Sequence, residues 1–93
     1  MASRTDLRRT DLGEHFSEGS RLLWQILEKK GWTQSQLREA LGAHPGEISK
    51  LLYGDKKPRF DLIVEASRKF KIKAERWDEP PRVAFVPPAA RAA

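Results

Sequence analysis

Side chains able to do covalent or metal chemistry are few in this sequence, and they are scattered. There are two histidines, His15 and His44, and no cysteine. Neither histidine has a second one at the spacing of a metal site, and no carboxylate pair falls in a recognisable pocket pattern. The serines have no evident base partner. The expectation is therefore no enzyme activity, no metal and no cofactor. Charge is the chemistry the sequence does supply. The net charge is +5 over 93 residues. Residues 54–77 hold eight basic against four acidic side chains, whereas residues 1–18 hold three against four. A basic patch of this kind attracts phosphate and gains by releasing counterions. A merely solvated lysine-rich surface has the same composition.

Such charges act at a surface only if helices position them. From Ser20 the apolar residues recur at helical spacing, with Leu23, Ile26 and Leu27 on one face and Leu22 and Trp24 widening it, until Gly31. Thr33 suits an N-cap and Gln36 the third helical position, so a capping box is expected there. Leu37, Ala40 and Leu41 then point inward, and Gly42 suits a left-handed helix end. Two residues later His44 can cap a further helix, with Pro45 at its first position and Glu47 at the positive end of its dipole. Ile48, Leu51 and Leu52 form its core face and Gly54 closes it. Asp55-Lys56-Lys57-Pro58 reads as a basic loop. Phe60, Ile63, Val64, Ser67 and Phe70 mark a fourth helix, and Ile72 with Ala74 to Trp77 a short fifth. The prolines Pro80-Pro81 end the pattern.

This rhythm predicts one all-α domain over residues 19–78. A flexible N-terminal arm, 1–18, precedes it and a Pro/Ala-rich tail, 79–93, follows. No apolar run approaches the ~20 residues that span a bilayer. The N-terminus lacks the hydrophobic segment of a secretory signal, so the cytoplasm is the expected compartment. Within the tail, Val83-Ala84-Phe85-Val86 is an apolar strip between prolines. It could pair with another chain, fold back onto a groove, or be an incidental patch.

Two short helices joined by Gly42-Ala43-His44 form a helix-turn-helix, in which so tight a turn makes the helices cross at roughly 90–120°. That geometry lets the second helix enter the major groove with its N-terminal residues at the base edges. Gly31-Trp-Thr-Gln-Ser-Gln-Leu-Arg-Glu-Ala-Leu-Gly, then Ile48-Ser49-Lys50-Leu51, then Gly54-Asp-Lys-Lys-Pro58, resembles the phage repressor and Cro (Xre-type) family of helix-turn-helix proteins. The likeness runs from about Leu23 to Trp77. It implies a five-helix, lambda-repressor-like domain that binds double-stranded DNA as a transcriptional regulator, repressor-like and associated with the nucleoid, often as a homodimer.

Carried over by position, the resemblance gives Gln34 a phosphate contact. It puts His44, Pro45, Gly46, Ser49, Lys50 and Tyr53 on the base-reading surface. Lys56, Lys57 and Arg59 fall near the DNA backbone. Each position also has a structural use. Gln34 can serve only to start a helix, Lys50 can be a solvated lysine, Tyr53 can pack on the basic loop, and His44 can act as a cap.

Three departures from the family pattern matter. Arg38 stands where the family prefers alanine. Pro45 and Gly46 have no side chain able to hydrogen-bond a base edge, so direct readout falls to Lys50, Ser49, Tyr53 and His44. Leu27 and Leu52 replace a buried Arg–Glu pair, which keeps an interhelical contact without stranding a charge. The alternative function is a helix-turn-helix module bound to protein, as in an antitoxin, antirepressor or assembly factor. Leu22 and Trp24, read as exposed, and the strip at 83–86 favour that alternative and a protein partner at the tail.

Overall fold

The computed structural model describes residues 12–86, which leaves residues 1–11 of the expected arm and 87–93 of the expected tail outside the description. The described chain forms four α-helices: α1 (Glu18–Lys30), α2 (Gln34–Leu41), α3 (Pro45–Tyr53) and α4 (Phe60–Phe70). The expected fifth α-helix is instead a 3-10 helix, Ala74–Asp78. Only five residues separate the left-handed Lys71 that ends α4 from Trp77, too few for a full α-helix before the indole reaches the core.

Local chemistry explains the helix limits. Ser17 caps α1, its Oγ accepting from the Ser20 amide at 3.2 Å, so the helix starts earlier than the apolar rhythm alone suggested. Thr33 and Gln36 form the expected capping box, with Thr33 N–H donating to Gln36 Oε1 at 2.8 Å and Gln36 N–H to Thr33 Oγ1 at 3.2 Å. Pro45 occupies the first position of α3. Its cap is strengthened from inside the helix, because Glu47 Oε1 accepts the His44 amide at 3.2 Å.

One core joins all the elements. Leu23, Leu37, Leu51, Leu52 and Ala66 are fully shielded, and Ile48, Leu62, Ile63, Ile72 and Trp77 close around them. Leu27 and Leu52 are both buried in this core, and α1 packs directly on α3, as an apolar replacement for an ion pair requires. In α4 the inward face is Leu62, Ile63 and Ala66. Phe60, expected to share it, is 75% exposed.

The ends of the described chain depart most from the sequence reading. Phe16, Ser17 and Glu18, assigned to the arm, are buried. The segment before α1 runs across the C-terminus of α3. Gly13 N–H donates to Tyr53 O at 2.7 Å and His15 N–H to Gly54 O at 2.9 Å. Trp24 is buried rather than exposed, and its indole N–H donates to Leu52 O at 2.7 Å. The last carbonyls of a helix have no partner within it, and two from the end of α3, with that of the Gly54 cap, find theirs here. Gly54 carries a positive φ of 72°, and a Cβ there would lie 2.1 Å from Phe16 N, so this crossing requires glycine twice over.

The chain after the 3-10 helix also returns to the core. Phe85 stacks on Phe16 with centroids 5.5 Å apart and lies 5.9 Å from Trp24. Glu18 ties the two ends together. Its carboxylate pairs with Arg21 and accepts the Arg82 amide at 2.8 Å, while its own N–H donates to Glu79 O at 2.8 Å. Arg21 first, and the Arg82 amide after it, hold the Glu18 carboxyl below its ordinary pKa against the opposing effect of burial.

Candidate nucleic-acid interface

The N-terminal turns of α2 and α3 form one exposed surface. Gln34, His44, Pro45 and Gly46 are exposed, and Ser49 and Lys50 are half-buried on the following turn of α3. A Cβ at Gly46 would meet nothing within 4 Å. Packing does not demand glycine there, and the residue leaves a bare stretch of backbone at the start of α3. Between the two helices lies a notch of about 230 Å³ lined by Gln34, Ser35, Arg38, Pro45 and Ile48.

Tyr53 is the site residue whose setting differs most from expectation. It is only 6% exposed, and its ring meets Trp24 edge to face at 5.7 Å. This packing is against α1. Its hydroxyl lies 3.3 Å from Gln34 Nε2, which donates to it. Tyr53 thus links the C-terminus of α3 to the N-terminus of α2 and orients the Gln34 amide.

The basic loop brings Lys56 and Lys57 to the surface, both exposed. Lys57 Nζ stands 3.6 Å from Asp78. Both side chains are largely solvated, so this pair holds the lysine only loosely. Arg59 is held more firmly, since its Nε donates to Glu47 Oε2. Arg59 first, then the His44 amide, lowers the Glu47 pKa, and Glu47 in turn raises that of Arg59. One carboxylate in α3 therefore fixes both the cap of its own helix and the cation that precedes α4. Sequence patterning gave Glu47 a dipole role only. The bond to Arg59 spans twelve positions and no local period signals it.

Among the described residues no group of three His, Cys, Asp or Glu could hold a metal ion. Among the same residues no helix is long and apolar enough to cross a membrane.

The helix-turn-helix family pattern matches residues 25–77, more than half of the chain. The chain belongs to the Xre/Cro-like helix-turn-helix family. No curated protein and no solved structure matches it. Proteins of this family are DNA-binding regulators. The helix-turn-helix match takes in the second half of α1, the α2–α3 unit, the basic loop, α4 and the indole of Trp77. The crossing over α3, Trp24 and the return of Phe85 lie outside the matched span.

Proposed function

We propose that the protein is a repressor-like transcriptional regulator that places α3 in the major groove of duplex DNA in the cytoplasm, at the nucleoid. The observation that carries this reading is the helix-turn-helix family match over residues 25–77, joined to an exposed start of α3 at His44, Pro45 and Gly46. Lys50, Ser49 and His44 supply the base contacts, and bare backbone at Gly46 permits close approach. Gln34 meets a phosphate, oriented by Tyr53. Lys56, Lys57 and Arg59 meet the flanking backbone. With so few readers, sequence discrimination is modest and the charge term dominates affinity. A homodimer on a two-fold operator is part of the proposal, and mass in solution with and without duplex tests it.

Binding to specific and random duplexes across a salt series tests the main reading. Lys50→Ala should lose about 1–3 kcal/mol of discrimination between duplexes. Lys56→Ala/Lys57→Ala should weaken all duplexes alike and lower the salt slope by about one per lost phosphate contact. Binding that ignores salt and all three lysines refutes it. The alternative, a module bound to protein, draws on Phe60, Val83 and Val86, which remain exposed. It loses the support of Trp24, which is buried, and of Leu22, which is half-buried against the core.

A further inference from the structure

Arg38 is the cation beside α3 that the proposed DNA contacts leave unused. It stands in the second turn of α2, half-buried, and lines the notch with Gln34, Ser35, Pro45 and Ile48. Among the described arginines, Arg21, Arg59, Arg68, Arg76 and Arg82 each pair with a carboxylate. Arg38 alone does not, and the lining of its notch contains no acidic residue.

A guanidinium beside a notch and without a carboxylate partner is free to take an anion. Its planar fork matches two phosphate oxygens. Two further features favour negative charge in the notch. It opens beside the N-terminal turn of α2, the positive end of that helix, which contains no acidic residue, and the one carboxylate in the first turn of α3, Glu47, is paired with Arg59. The aliphatic stem of Arg38 can lie along the notch beside Pro45 and Ile48 while the head reaches its mouth. Gln34 flanks that mouth, and its amide is already oriented by Tyr53.

The geometry points to Arg38 as a phosphate-binding residue of the DNA interface, seating one backbone phosphate of the duplex at the mouth of the α2–α3 notch. The assignment rests on the DNA-binding reading above and adds a contact to it. It also supplies affinity from α2 where Pro45 and Gly46 supply no side-chain hydrogen bond from α3.

The test measures the affinity of the full chain and of Arg38→Ala and Arg38→Lys for several duplexes of unrelated sequence between about 50 and 200 mM salt. Alanine is the best helix former, so Arg38→Ala should keep the wild-type melting temperature within a few degrees. Arg38→Ala should bind about tenfold more weakly near 50 mM salt and about threefold near 200 mM, its slope lowered by about 0.9. Arg38→Lys should keep the slope and most of the affinity. An unchanged slope and affinity in Arg38→Ala, beside a wild-type protein that binds, overturns the assignment alone. So does a loss confined to one duplex sequence at unchanged slope, which makes Arg38 a base reader. A wild-type protein that binds no duplex overturns the DNA-binding reading and the assignment together.

Discussion

Trp24 joins α1 to α3 by a single directional bond, so Trp24→Phe isolates what that bond contributes. The indole N–H donates to Leu52 O at 2.7 Å, and both residues are buried. Leu52 is the penultimate residue of α3, so its carbonyl has no amide four residues on within the helix. Phenylalanine removes the donor and leaves that oxygen buried and unpaired, at a cost of about 1–3 kcal/mol. The smaller ring also gives up roughly 40 Å² of apolar contact, about 1 kcal/mol at ~25 cal/mol per Å². The expected loss is about 2–4 kcal/mol, a fall in melting temperature of roughly 10–25 °C for a domain of this size. Urea unfolding followed by circular dichroism reads it without relying on tryptophan emission. Trp32→Phe is the comparison, because Trp32 is half-buried and its ring meets Phe70 edge to face at 6.0 Å and the Lys30 Nζ at 5.3 Å, neither of them in α3. At a temperature where both variants are folded, DNA affinity should stay near wild type, since neither indole lies on the proposed interface. If Trp24→Phe costs no more than Trp32→Phe, the bond to Leu52 is not what holds α3 against α1.

Phe85→Ala should destabilise the folded chain by about 1.5–3 kcal/mol, from two aromatic contacts of about 0.5–1.5 kcal/mol each plus lost burial, with mass in solution unchanged. An oligomer that dissociates on this change would instead put Phe85 in a subunit interface, as the sequence pattern allowed. Lys71 ends α4 at a positive φ of 58°, where a side chain is strained and glycine is not. Lys71→Gly should therefore raise stability by about 0.5–1 kcal/mol in chemical denaturation, and a loss would show that the Lys71 side chain contributes more than its backbone costs. The Glu18 pKa is lowered by folding, so its contribution is fully present above its unfolded pKa and is lost as pH falls through the lower folded value. Stability measured from pH 6 downward should decline in that acid range, and Glu18→Gln should flatten the decline; an identical acid profile in the variant would refute the role of Glu18.

Much of the helical core was legible in the sequence because its determinants are local. The capping box at Thr33 and Gln36, Pro45 at the start of a helix and the left-handed glycines at 31, 42 and 54 act within one turn. The spacing of Leu37, Ile48, Leu51 and Leu52 determined which faces turn inward, and together with the turn Gly42-Ala43-His44 it was enough to suggest the helix-turn-helix that the family match bears out. Tertiary structure decided what no local period encodes. Phe16 and Phe85 are far apart in the chain and sit in charged or proline-rich surroundings, so neither reads as core until they stack on each other. Trp24 looked like the exposed edge of a wide apolar face because the rings that meet it, Tyr53 and Phe85, come from distant parts of the chain. Tyr53 occupies a position the family resemblance associates with DNA, yet burial against Trp24 turns its ring inward. The partners of Glu47 and Glu18 are likewise chosen by distance in space, across twelve and sixty-four positions. Helix limits follow from short-range hydrogen bonds and side-chain periodicity, which a sequence states directly. Burial and charge pairing follow from which distant segments meet, and only the packed chain decides that.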